Sequence, residues 1–460
     1  MTVRPTACGA LAGPVAVVGF AVTGQAVSRV LRGFGLEVVV VEDAATPAQR
    51  AAAVELGVEL VAAPDRGTLA AAVGRCALVV VSPGVPPRHP VFELVAPDRL
   101  VSEIELAYRL SPIPVVAVTG TNGKTTVTAL VTAMLVASGV HAEASGNIGQ
   151  PLISTVMSGD VDLAVAEVSS FQLALTSSFR PIVAAWLNVA ENHLDWHPSF
   201  GDYVAAKRRI WANQRDLDVA VANGDDPIVA AAARAAPARV VTFGEAGSDY
   251  RLVAGRFLAP DGELLATSSD LVRDLPHDRR NALGALATAL EAGASPPACR
   301  TALRTTAPPA HRLSHVATLD GVSYYDDSKA TTPAAVIAAL QGFSSVVLIL
   351  GGRNKGLDLA TIRRAVDAAA GHLLRGVVAI GEASAQVVAA FAPDHEVAEA
   401  GSMGEAVAIA AGMADRGDAV LLSPGCASFD WYESYAARGD DFAAAVRSLR
   451  SLDLGHRAEA

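Results

Sequence analysis

The stretch "VAVTGTNGKTTV" sets a lysine and two threonines behind a glycine-bearing turn at the end of an apolar run. Val115 to Val118 reads as a buried strand, and "TTVTALVTAMLVASG" as the helix that follows. Backbone N–H groups of such a turn, here Gly120, Thr121, Asn122 and Gly123, cradle phosphate oxygens with help from the positive end of the helix. Lys124 then reaches the β- and γ-phosphates of a nucleoside triphosphate, Thr125 offers a hydroxyl to Mg²⁺, and Thr126 completes the run. The spacing departs from the general phosphate loop, whose first glycine falls at Val118 here; Gly120 stands three before Gly123 instead.

Other residue types fit the same chemistry. Glu167 ends the apolar run of "DLAVAEVSSFQL", where a carboxylate can hold Mg²⁺ beside the loop; taken alone, it fits a strand-end surface acid equally. His193 in "LNVAENHLDWHP" fits a metal ligand or an ordinary loop histidine. Lys and Arg total 36, yet only Lys124, Lys207, Lys329 and Lys355 are lysine. Positive charge is otherwise written as arginine, so lysine at these four positions stands out; at Lys124 a compact point charge on a flexible stem fits inside a phosphate loop. "VGFAVTG" followed by "VVVVED" is half of a dinucleotide fingerprint, with Ala21 where the second glycine belongs. That argues against nicotinamide chemistry and leaves a nucleotide diphosphate at the Gly19 turn.

Short apolar strands alternate with Ala-rich helical stretches along the chain. "PVAVVGF", "LEVVVVED" and "ALVVVSPG" mark a first group; "PIPVVAVTG", "DLAVAEVSS", "IVAAWLNVA", "DVAVANGDD" and "RVVTFG" a second; "SVVLILGG", "GVVAIGE" and "AVLLSPG" a third. The pattern predicts α/β architecture with mainly parallel sheets and sites at the carboxyl ends of strands. At ~150 residues per domain, 460 residues make about three domains. Proline-bearing boundaries fall near 107–114 and 305–313.

A formal charge of −11 without a basic tract argues against a nucleic acid as the main partner. Cys8, Cys76, Cys299 and Cys426 are scattered, which fits reduced thiols in the cytoplasm. The uncharged run Pro5 to Ser28 mimics a targeting segment, but Gly13, Pro14, Gly19 and Gly24 break it, and a buried strand with a glycine turn fits better. No other uncharged run reaches the ~20 apolar residues of a membrane span. The tail "GHRAEA" reads as frayed.

"GTNGKTT", "EVSSFQL", "NVAENHLDWHP", the helix holding Lys207, His311–Arg312, "DDSKATTP" and "SPGCASFDWY" occur in the order seen in the Mur ligases, and the whole chain resembles that family. "DSKAT" and "SPGCASFD" resemble its D-glutamate-adding branch. The resemblance implies a Rossmann-like N-terminal domain for a UDP-substrate over residues 1–112. It implies a central P-loop ATPase domain with a mainly parallel sheet over 113–310, and a C-terminal Rossmann-like domain for the amino acid over 311–460. It implies a cytoplasmic, monomeric enzyme of peptidoglycan precursor synthesis using ATP and Mg²⁺. ATP would phosphorylate the carboxylate of UDP-N-acetylmuramoyl-L-alanine, and the amine of D-glutamate would attack the acyl phosphate. Another Mur-type or folylpolyglutamate-type amide ligase, and an inactive nucleotide-binding relative, are the alternatives.

By resemblance, Lys124 and Thr125 hold the ATP phosphates and a first Mg²⁺ with Glu167, and His193 and Lys207 serve a second. Lys207 matches a position that CO₂ converts to a carbamate, and Lys329 lies in "DSKAT" as a further catalytic candidate. Asn281 matches an adenine contact, with Asp278 standing where asparagine is usual; Arg312 and Asp327 match contacts to phosphate and ribose. The UDP-substrate falls to Gly19, Ala21, Val22, Thr23, Glu42, Asp43, Ser82, Pro83, Gly84, Asn147 and His193. Thr331, Lys355, Ser428 and Tyr435 match the D-glutamate pocket, although Thr331, Thr332 and Pro333 also read as the start of the helix "PAAVIAAL".

Overall fold

The computed structural model describes residues 13–193, 196–245, 247–369, 373–392 and 394–458. Cys8 and the first residues of the uncharged N-terminal run lie outside that range. The chain forms two compact units: residues 1–189, 196–272 and 279–306 make the first, and 190–195, 273–278 and 307–460 the second.

The first unit carries two sheets. One is built from β1 (Val15–Val18), β2 (Val38–Glu42), β3 (Glu59–Ala62), β4 (Leu78–Val81) and β5 (Leu100–Val101), in the order 3-2-1-4-5. All its neighbours run parallel. β1 and β4 are four-residue apolar runs, dominated by valine and buried throughout, as expected of strands covered on both faces. The described part of the uncharged N-terminal run is thus a strand, a turn and the start of the helix Val22–Gly33, as its glycines predict.

The other sheet has nine strands: β6 (Val115–Thr119), β7 (Ala142–Gly146), β8 (Leu163–Glu167), β9 (Val183–Trp186), β10 (Val219–Asn223), β11 (Arg239–Gly244), β12 (Tyr250–Val253), β13 (Arg256–Leu258) and β14 (Leu264–Thr267). Their order is 14-13-12-11-10-9-6-8-7. From β7 to β12 the pairing is parallel; β13 pairs antiparallel with both β12 and β14. One core joins the two sheets: Val15, Val17 and Leu31 from the first belong to the same buried cluster as Leu152, Ala164 and Trp186 from the second. That shared burial makes them one unit.

The second unit holds β15 (Ser314–Leu319), β16 (Val322–Asp326), β17 (Ser345–Gly351), β18 (Leu373–Ile380), β19 (Val397–Ala400) and β20 (Ala419–Gly425), in the order 15-16-20-17-18-19. Only β15–β16 is antiparallel. Separate apolar clusters, around Leu348 and Leu421 and around Val347 and Val420, fill its two faces. The closing helix, Tyr435–Ala458, runs on through most of "GHRAEA", where a frayed end was expected; residues 459–460 lie outside the described range. No helix among the described residues is long and apolar enough to cross a membrane. Cys76, Cys299 and Cys426 are buried free thiols.

Candidate active site

The phosphate loop leaves β6, the strand at which the nine-stranded sheet reverses its winding. Gly123 has φ 84° and sits as the residue before the helix Lys124–Ala137, with no side chain capping that helix. A Cβ on Gly123 would lie 2.4 Å from Asn281 Oδ1, so the loop and Asn281 are packed without room for any other residue. Some other helices are capped: Thr46 and Gln49 form a reciprocal capping box on helix Pro47–Leu56. The uncapped start at Lys124 leaves amide donors for an anion.

Lys124 Nζ donates to the carbonyls of Gly120 and Thr121 at 2.9 and 3.0 Å. Lys207 approaches the same loop from the helix Phe200–Arg208, donating to Gly120 O at 2.8 Å. Its side chain is buried, and its Nζ lies 4.7 Å from the centre of the Tyr203 ring, whose hydroxyl meets Thr121 Oγ1 at 3.0 Å. Burial depresses the Lys207 pKa well below the usual lysine range; Lys124 adds to the effect and Glu167 opposes it. Glu167 stands at the end of β8, next to β6. Asn147 Nδ2 donates to its Oε1 at 2.9 Å, while its Oε2 is buried without a hydrogen-bond partner. The structure thus brings Lys124 and Lys207 together at one loop, with Glu167 at the end of the neighbouring strand. Asn147, expected at the substrate, orients Glu167.

An orphaned carboxylate oxygen beside a threonine-rich loop fits a hydrated divalent ion, which takes few carboxylates and shares phosphate oxygens. Among the described residues no three His, Cys, Asp or Glu side chains gather as a cage, so any such ion must lean on those shared ligands. His193 belongs to the second unit; its φ of 56° is unusual for a residue with a Cβ, and its amide donates to Asn192 Oδ1 at 2.9 Å.

A second cleft, of 360 Å³, opens at the carboxyl ends of β1, β2 and β4. Gly19, Ala21, Val22, Thr23, Glu42, Asp43, Ser82, Pro83 and Gly84, the residues expected at the UDP-substrate, all line it. The helix Val22–Gly33 begins there without a side-chain cap. Glu42 is already engaged: its Oε2 accepts from the Phe20 amide at 2.7 Å, which fixes the turn. His89 was not foreseen. Its Nδ1 accepts from Val91 N at 3.2 Å, so its Nε2 carries the proton and donates to Asp43 at 3.3 Å.

In the second unit, Asp327 follows β16 and is buried. It accepts from Ser423 Oγ at 2.8 Å, and burial raises its pKa to about 7 against the pull of Arg312. Arg312 Nε is buried without a hydrogen-bond partner, a donor left over for an anion. Lys329 Nζ lies 5.4 Å from the centre of the Tyr435 ring. The loops holding Lys355 and Ser428 are stitched by paired main-chain bonds between Arg353 and Ala427, at 2.8 and 3.0 Å. Thr332 caps the helix Pro333–Leu340 through the Ala335 amide, so that part of "KATTP" is structural, with Thr331 half-exposed before it. Asp278 forms a two-pronged pair with Arg273 at 2.7 Å on both oxygens, which holds its pKa near 2 despite burial. Arg438 also escaped the sequence reading: it is buried and forks onto Ser328 and the Cys426 carbonyl.

A phosphate loop with two lysines and a carboxylate converging on it, in an α/β chain with three parallel-dominated sheets, defines an enzyme that handles a nucleoside triphosphate. The chain matches the Mur ligase middle domain over residues 118–269 and the Mur ligase glutamate ligase domain over 311–426. It is 43% identical over 449 residues to the UDP-N-acetylmuramoylalanine--D-glutamate ligase of Frankia casuarinae, covering 95% of this chain and 94% of that one. It is 42% identical over 457 residues to the protein of the same name from Desulfosudis oleivorans, covering 95% and 97%. The chain belongs to the Mur ligase family, whose members are ATP-dependent amide-forming ligases. Among solved structures, the UDP-N-acetylmuramate-alanine ligase of Thermotoga maritima shares the fold, with a TM-score of 0.59 at 18% identity over 95% of this chain and 99% of that one. A pseudomurein peptide ligase of Methanothermus fervidus does so at 0.58 and 17%, over 89% and 96%.

Proposed function

We propose that this enzyme joins D-glutamate to UDP-N-acetylmuramoyl-L-alanine, with ATP converted to ADP and phosphate, in peptidoglycan precursor synthesis. The near-full-length likeness to relatives bearing that name carries the reading, and the convergence of Lys124, Lys207 and Glu167 supports it. The three sheets fit three domains, with Rossmann-like first and third domains bounded near residues 112 and 310.

The acceptor carboxylate attacks the γ-phosphorus, giving an acyl phosphate and ADP. The neutral amine of D-glutamate then adds to the carbonyl, and the tetrahedral intermediate collapses with loss of phosphate and a proton. Two anions must meet in the first step, so the residues act mainly by neutralising and positioning. Lys124 supplies positive charge at the loop of Gly120 to Thr126, and the main-chain amides from Gly123 onward supply donors. Mg²⁺, held by Thr125, Glu167, His193 and the carbamate of Lys207, would screen phosphate charge and align the transferring group. Asn281, Arg312 and Asp327 serve the nucleotide. The turn from Gly19 to Thr23, with Asp43, Ser82 and Gly84, takes the UDP group, and Glu42 holds that turn. Thr331, Lys355, Ser428 and Tyr435 receive D-glutamate, with Lys329 nearby. Mass spectrometry of the uridine nucleotide after incubation with ATP and D-glutamate tests the proposal: a gain of one glutamyl residue is expected, and an unchanged nucleotide contradicts it.

A further inference from the structure

Asn188 follows β9, the strand on the other side of β6 from Glu167. Its carboxamide faces the phosphate loop and makes three bonds to it. Oδ1 accepts from Thr121 N at 3.1 Å and Asn122 N at 2.9 Å, and Nδ2 donates to Asn122 O at 3.0 Å. Its main-chain carbonyl also accepts from Thr121 N at 3.1 Å and from Trp186 Nε1 at 3.1 Å. Asn188 is itself anchored. The carbonyl before it takes Asn223 Nδ2 at 2.8 Å, and the amide after it is held by Asp226 at 2.9 Å.

We propose that Asn188 is a positioning residue that sets the phosphate loop by occupying the Thr121 and Asn122 amides. The anion is then received by the donors from Gly123 onward, together with Lys124, and not by the whole run of loop amides. Only a carboxamide supplies an acceptor for two adjacent amides and a donor for the carbonyl that follows them. Without it, Asn122 is released, Thr121 keeps only its bond to the Asn188 main-chain carbonyl, and the loop must be ordered by the nucleotide at its own cost.

The inference rests on the reading of this loop as an ATP site, and the test separates the two. Calorimetry on the whole enzyme should give ATP a Kd about 10- to 100-fold weaker in Asn188→Ala, the scale of losing two or three hydrogen bonds. The Kd for UDP-N-acetylmuramoyl-L-alanine should stay within about twofold, which a general loss of structure would not allow. An ATP Kd within about threefold of wild type overturns the inference. A wild-type enzyme that fails to bind ATP overturns the loop reading instead. Hydrogen exchange in the nucleotide-free wild type gives an answer even where the variant fails to fold. Slow exchange at Thr121 and Asn122 is expected, and exchange at free-loop rates overturns the inference.

Discussion

Lys207 Nζ donates to the main-chain carbonyl of Gly120 at 2.8 Å, which sets a buried lysine against the phosphate loop. Burial and Lys124 both favour its neutral amine, the only form that reacts with CO₂. An arginine in this place cannot be deprotonated and cannot form the adduct. Lys207→Ala should lose about 100-fold or more in turnover, as for loss of a group that stabilises the transition state. A short-chain carboxylic acid in the buffer should restore part of it. Lys207→Arg should fail as well; near-normal turnover for it would reduce the lysine to a plain positive charge.

Lys355 is exposed, on a loop bonded to the one that carries Ser428. Lys355→Ala should raise the KM for D-glutamate about tenfold or more, the effect of an ion pair to a carboxylate. The Kd for ATP should change little. Equal losses of both would remove Lys355 from the amino-acid pocket.

Glu103 is fully buried in the first unit and accepts from Ile153 N at 2.5 Å. Burial raises its pKa from the usual 4.5 to about 7. The folded state therefore binds a proton more tightly than the unfolded chain does. The stability this contributes is full below pH 4.5 and is lost as pH rises through about 7. Glu103→Gln keeps an acceptor for Ile153 and removes the titration. Urea unfolding should show the wild type losing stability across that window relative to the variant, and parallel profiles would contradict the assignment.

Arg438 holds "DDSKATTP" to "SPGCASFD": its guanidinium donates to Ser328 Oγ and O and to Cys426 O, at 2.8 to 3.1 Å. Burial lowers its pKa to about 10, so it stays charged at neutral pH. Arg438→Leu leaves those buried carbonyls without donors and should destabilise the protein by about 2–4 kcal/mol in urea unfolding. A change under about 0.5 kcal/mol, the range of ordinary surface substitutions, would show that the arginine is not a strut.

Every apolar run singled out in the sequence is a strand, because a buried parallel strand must be apolar on both faces. β12 to β14 and the β15–β16 hairpin were among the strands missed: most of their residues are partly exposed, and charge falls inside β12 and β13 and just before β14. The Asp320–Gly321 turn, with φ of 48° and 86°, was the legible sign of that hairpin. At the site, residues with distinctive chemistry were readable one by one. Asn188 and His89 were not, and neither was the bond from Asn147 to Glu167, since each depends on geometry that only strand order creates. Asn188 does stand inside a motif already singled out, at a strand end beside the loop, and that position was a usable signal.

Phosphate release from ATP with UDP-N-acetylmuramoyl-L-alanine, compared across D-glutamate, L-glutamate, L-alanine and diaminopimelate, tests the central claim most directly. Release should depend on the uridine nucleotide and be supported by D-glutamate alone. Release with another of these amino acids in its place, or none with D-glutamate, would contradict the account.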